Sequence, residues 1–95
     1  MKNLQPGKEY VFYYIHVNGQ ALNLFIVEYV SPSSENKYFA HFIVKKKIIQ
    51  LFVEASYKTG EEAQLGYDNI YPLKELQDIK REMITFVYES WGPEK

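Results

Sequence analysis

The sequence predicts an α+β domain, an antiparallel meander sheet of four or five strands, open or curled into a partial barrel, with one long C-terminal amphipathic helix packed on it. Three observations carry that expectation. Asn18-Gly19 stands between two apolar-rich runs. Two more strand-like runs flank Lys45-Lys46-Lys47. From Pro72 onward the hydrophobic period becomes helical and ends at Gly92-Pro93.

The first two strands are expected over residues 9–17 and 20–30. A two-residue type I′ turn needs φ > 0 at both positions, and Asn-Gly meets this at low steric cost. With Asn18-Gly19 as the loop, partner numbers sum to 37. Val11, Tyr13, Ile15, Leu22, Leu24 and Ile26 then share one face, and Tyr10, Phe12, Tyr14, His16, Asn23, Phe25 and Val27 share the other. The same register sets Glu9 opposite Glu28, a like-charge pair at which the ladder should end or bulge.

Ser31-Pro32-Ser33-Ser34-Glu35-Asn36 reads as a loop. Strands at 37–44 and 48–57 follow, joined as a second hairpin through the lysines. If Lys45-Lys46 is the turn, Phe39 faces Phe52, His41 faces Gln50 and Lys37 faces Glu54, on a face like the aromatic face of the first hairpin. A fifth strand is expected at 65–71. The run Tyr67-Asp68-Asn69-Ile70-Tyr71-Pro72-Leu73 is similar to the end of small SH3-like barrels, where a short turn follows a strand. No family is recognised from so short a stretch, and nothing functional is carried over.

The helix is expected over 72–91, with Pro72 at its first position and Gly92-Pro93 as its stop. On a helical wheel its apolar arc is about 200° wide, more than the ~100° needed to pack on one surface. Both faces of both hairpins are also rich in Phe, Tyr, Ile and Val. Something should therefore cover a second apolar face: barrel closure, a second subunit or a ligand.

Composition narrows the chemistry. The 95 residues are one domain's worth of chain, 46% hydrophobic and 24% charged, with a net charge of −1. Ten lysines against a single arginine, Arg81, with many Ile, Tyr and Asn, suit A/T-rich codons and a bacterial or phage source. There is no cysteine, which excludes disulfides, thiolate nucleophiles, zinc–thiolate sites and iron–sulfur clusters. Neither an apolar leader nor a run of about 20 apolar residues is present, so a cytoplasmic protein with no membrane partner is expected.

The candidate site is the aromatic and polar face of Tyr10, Phe12, Tyr14, His16, Asn23, Phe25, Phe39, His41, Gln50 and Phe52. Such a face suits an interaction surface, a stacking platform or a plain aromatic core. His16 and His41 are the two histidines. Without a nearby inward carboxylate they make neither a metal site nor a catalytic set, so no metal, cofactor or catalytic residue is assigned. The three consecutive lysines lack a Gly-rich phosphate cradle or an aromatic-basic motif. The expectation is a non-catalytic binding protein that forms a homodimer and engages another protein through the aromatic face. A small-molecule or nucleotide binder, its pocket between sheet and helix or at a dimer seam, is the alternative. A nucleic-acid-binding small barrel comes third, with nucleic acid disfavoured by the charge balance.

Overall fold

The computed structural model describes residues 3–15, 22–51 and 57–91, with backbone alone at 51 and 86–91. Five antiparallel strands form one sheet: β1 (Glu9–Ile15), β2 (Leu22–Pro32), β3 (Phe39–Leu51), β4 (Glu62–Gly66) and β5 (Ile70–Pro72). A 3₁₀ turn at Leu73–Glu75 leads into helix α1 (Leu76–Trp91). The α+β architecture is as the sequence predicts, with an open sheet rather than a closed barrel.

The β1–β2 register is the expected one, from Glu9↔Glu28 to Ile15↔Leu22. The Asn18-Gly19 turn lies outside the described residues. Strand pairing ends at Glu9↔Glu28, and Lys45 Nζ, 3.6 Å from the Glu28 carboxylate, offsets that like-charge pair. Backbone bonds continue beyond it: Tyr29 N–H donates to Lys8 C=O at 3.1 Å and Gly7 N–H to Tyr29 C=O at 2.9 Å. Pro6-Gly7 makes this arrival possible. Lys8 N–H donates to Gln5 C=O, and Gly7 takes φ +84°, the left-handed conformation that the third position of a type II turn demands.

The second hairpin does not form, and the strands expected at 37–44 and 48–57 are corrected accordingly. Residues 39–51 make one continuous strand that passes through the three lysines and pairs along β2. Phe42 lies opposite Tyr29 and Ile49 opposite Leu24, so the register built on a Lys45-Lys46 turn is absent. The lysines mark an irregular strand instead. Lys46 and Val44 pair with successive residues of β2, as do Ile49 and Lys47, which leaves Lys45 and Ile48 as the extra residues of two bulges. A bulge keeps the strand running while bending it and increasing its twist.

The expected fifth strand at 65–71 is likewise two strands on opposite edges of the sheet, whose order is β4-β3-β2-β1-β5. The 3₁₀ turn Tyr67–Asn69 joins them. Its length dictates the shape of the sheet. In a flat sheet, edge strands four spacings apart lie about 19 Å from each other, yet the step from Gly66 to Ile70 reaches about 14 Å when fully extended and less as 3₁₀ helix. The sheet must coil, and the turn is bonded near both edges. Tyr67 N–H donates to Tyr38 C=O at 3.0 Å, and Asn69 Nδ2 donates to Tyr13 C=O at 3.1 Å.

Coiling gives the sheet an inside and an outside. Inside, Tyr10, Phe12, Phe25, Val27, Tyr29, Phe42, Val44 and Leu65 pack together, joined by Tyr67 and Ile70 from the corner. Outside, Val11, Leu22 and Leu24 meet Ile79 and Met83 of α1, with Leu76 at their margin. Leu76, Ile79 and Met83 fall on one helical stripe. The helix thus covers one end of the outer face, while Ile84 on its far flank is 54% exposed. Pro72 closes β5 rather than opening the helix, whose first regular turn begins at Leu76. Gly92-Pro93 lies outside the described residues.

Candidate functional site

The coiled sheet divides the ten candidate residues into three groups. Tyr10, Phe12, Tyr14, Asn23, Phe25 and Gln50 share the inner face. Phe39 and His41 do not join them. Ala40, Phe42 and Val44 supply that stretch of β3 to the core, so the alternate residues point outward. Phe39 is 37% exposed, and His41 Nδ1 lies 3.0 Å from Glu62 Oε2. His16 and Phe52 lie outside the described residues. Tyr10, Phe12 and Phe25 are buried, so the aromatic face expected as an interaction surface is largely the protein's own core.

Burial loosens at one end of that core, where Tyr14, Gln50 and Tyr57 are half-buried. Tyr14 pairs with Asn23 across β1 and β2, and Asn23 pairs with Gln50 across β2 and β3, so the three side chains form a row across the sheet. One step deeper, Phe12 and Phe25 form an aromatic floor with ring centroids 5.6 Å apart. Tyr14 stacks on Phe12 at 6.4 Å. Tyr57 stands edge-on to both floor rings, 6.2 Å from Phe12 and 5.6 Å from Phe25. Its carbonyl accepts a 2.7 Å bond from Lys47 Nζ, and Lys47 is the β3 partner of Phe25. The lysine thereby ties the Tyr57 segment to the sheet.

Two polar atoms at this end have no hydrogen-bond partner among the described residues: Asn23 Oδ1, an acceptor, and Gln50 Nε2, a donor. Asn23 is 2% exposed, the sole buried polar side chain of the described core. An unpaired buried polar group costs about 1–3 kcal/mol, so such a group calls for a reason. Burial, and then the neighbouring Tyr14 phenol, raise the Tyr57 pKa above its ordinary value. The Tyr57 phenol thus stays protonated near neutral pH, able to donate as well as accept. The row carries no carboxylate, imidazole or thiol with which to build a nucleophile and its base.

Tyr57 is the residue that sequence reading misses. It stands just before a polar loop and reads as a strand end; its place over Phe12 and Phe25 depends on a contact between distant parts of the chain. Asn23 and Gln50 did carry a signal. Each is an amide flanked by apolar residues on both sides, next to the similar runs Leu24-Phe25-Ile26 and Leu51-Phe52-Val53.

Elsewhere several polar groups are engaged by the chain itself. An open groove of about 330 Å³ lies between the N-terminal arm and β5, lined by Leu4, Gln5, Lys8, Tyr10, Ile70 and Pro72 among others. The Tyr10 hydroxyl there accepts the Gln5 N–H at 2.9 Å. Lys45 is paired with Glu28 and Lys47 with the Tyr57 carbonyl, so two of the three consecutive lysines serve the chain's own fold. Among the described residues no cluster of three His, Cys, Asp or Glu is placed to hold a metal ion. No described helix is long and apolar enough to cross a membrane.

No family model, curated protein or solved structure matches the chain. The functional reading therefore rests on the chemistry of the site.

Proposed function

We propose that this chain is a small non-catalytic binding protein whose ligand seat is the amide end of the inner face, formed by Tyr14, Asn23, Gln50 and Tyr57 over the Phe12–Phe25 floor. One observation carries the reading: a buried acceptor and a donor on paired strands, both without a partner among the described residues. A bound molecule that supplies the missing partners offsets the cost of burying them, and the half-buried rings of Tyr14 and Tyr57 contribute apolar contact beside it.

A second reading, self-association, draws on a different surface. Tyr38 is 67% exposed and its neighbour Phe39 37% exposed, adjacent large aromatics at the start of β3. Large exposed aromatics are enriched where proteins meet. A homodimer, or a complex with another protein, then uses this corner and not the buried rings of Tyr10, Phe12 and Phe25.

Native mass spectrometry of the purified full chain at micromolar concentration separates the two readings. The ligand reading expects a subunit carrying a small extra mass that is lost on denaturation. Failing that, it expects a rise in melting temperature with at least one member of a metabolite panel. A bare subunit that no panel member stabilises overturns it. A concentration-dependent dimer that Tyr38→Glu dissociates without loss of fold establishes self-association.

A further inference from the structure

The proposed seat also specifies the class of its ligand, an inference that rests on the ligand reading above. Asn23 Oδ1 needs a donor and Gln50 Nε2 needs an acceptor, and the two residues are paired across β2 and β3. A ligand satisfying both must present an N–H and an acceptor side by side. At the same end stand the half-buried rings of Tyr14 and Tyr57, packed on the buried Phe12 and Phe25. Rings of this kind favour a flat partner by stacked or edge-to-face contact. The seat offers a carboxylate or phosphate little charge to meet. Among the described residues Lys47 is its one cation, and that ammonium is bonded to the Tyr57 carbonyl.

We infer that the seat binds a neutral planar ring bearing an amide-like edge, an in-plane N–H next to an acceptor, with Asn23 accepting the N–H and Gln50 donating to the acceptor. Nucleobases carry this edge, and so do simple aromatic carboxamides. Side-chain amides read nucleobase edges by the same donor–acceptor matching in nucleic-acid complexes. Asn23 is on this account a recognition group retained at a cost to the free protein. Replacing it with an apolar residue of similar size should raise thermal stability while removing binding, because a buried unsatisfied acceptor disappears together with its function.

The test follows the side-chain amide signals of Asn23 and Gln50 in ¹H–¹⁵N spectra of the full chain during titration with uridine, adenosine and benzamide. Counterparts without the edge N–H, namely 3-methyluridine, N6,N6-dimethyladenosine and N,N-dimethylbenzamide, are titrated in parallel. The expected result is a saturable shift of both amide signals with at least one parent probe and a loss of about tenfold or more in affinity for its methylated counterpart. Which parent binds distinguishes a nucleobase from a carboxamide source. Asn23→Leu should abolish that shift at Gln50 and raise the melting temperature.

Three results overturn the inference: none of the parent probes moves either amide, methylated and parent probes bind equally, or Asn23→Leu lowers stability. In the last case, coupling between Asn23→Leu and Gln50→Leu in a double-mutant cycle identifies the amides as each other's partners. A retained mass in native spectra that leaves both amide signals unmoved by every probe removes this ligand class and leaves the binding-protein reading standing. A bare subunit that no panel member stabilises removes both.

Discussion

The inner and outer faces of the sheet are built from alternate residues of the same strands, yet they are packed by different chemistry. Inside, the contacts are aromatic: Tyr29 meets Phe42 edge-on at 5.5 Å and Phe12 meets Phe25 at 5.6 Å. Several of these rings carry hydroxyls, and an amide is buried beside them. Outside, beneath α1, the buried set is Val11, Leu22, Leu24, Ile79 and Met83, with no polar side chain among them. An aliphatic contact under a helix has one task, to hold the helix on. The face that accepts polar groups at a cost is the one where recognition chemistry is to be sought.

The most severe way to break this contrast is to hollow out the inner face. Phe42 is fully buried and central to it. Phe42→Ala should cost about 3–5 kcal/mol, a large share of the 5–15 kcal/mol that stabilises a typical domain. Urea unfolding followed by far-UV circular dichroism measures it. A cost below that of the outer-face substitution described next would mean that the coiled interior is not the principal core.

Met83→Ala tests the outer face. Met83 is fully buried where the helix meets β1 and β2, and its truncation should cost about 2–4 kcal/mol. Because Phe42 and Met83 belong to different clusters, milder substitutions on the two faces, Val44→Ala and Ile79→Val, should add to within about 0.5 kcal/mol. A larger coupling energy would show that the sheet transmits strain between its faces. An isolated helix of the length of α1 is marginal in water, so helical ellipticity should fall in step with the lost packing.

Reading these faces from the sequence worked where one local rule governs and failed where two compete. Between β1 and β2 the register expected from Asn18-Gly19 is the one found, and strict alternation assigned Tyr10, Phe12, Tyr14, Asn23 and Phe25 to one side. In β3 three consecutive lysines resemble a turn because charge clusters usually mark exposed loops. The chain instead keeps them in a strand, with two bulges absorbing the extra residues. Neither bulge has a glycine to announce it. The cost of that misreading is a change of face for Phe39 and His41, since an error of one residue in phase sends every side chain to the opposite side. The coil itself follows from a corner only three residues long, Tyr67–Asn69, which pairing rules for neighbouring strands do not encode.

Alkaline titration sharpens the contrast from the polar side, with an effect below that of either large truncation. Burial, and next a hydrogen bond with Tyr67, push the Tyr29 phenol up to about 12 from 10.0. Between these values the unfolded chain has released a proton that the folded chain still holds. Stability therefore falls as pH rises from about 10 to about 12 and levels off beyond. Tyr29→Phe should remove most of this fall in urea midpoints measured across the same interval. The residual slope belongs to Tyr13, raised by burial and by Glu82, and to Tyr57 at the proposed seat. A slope unchanged in Tyr29→Phe would place the sensitive phenols outside the inner core.

The smallest expected effect concerns the bulge at Lys45, where the bent strand brings a cation to the outer face beside Glu28. Both partners are partly exposed, so the pair itself is worth about 0.2–1 kcal/mol. It also stands next to a cross-strand repulsion, Glu9↔Glu28, which Lys45 offsets. Lys45→Ala should thus destabilise by about 0.5–1 kcal/mol at low ionic strength, and the loss should shrink in 1 M salt as screening weakens attraction and repulsion together. Glu9→Gln should recover part of it. If Lys45→Ala is neutral at low salt while Glu9→Gln stabilises the parent chain, the repulsion is being relieved by solvent and not by the bulge. The two bulges would then be explained by coiling the sheet alone.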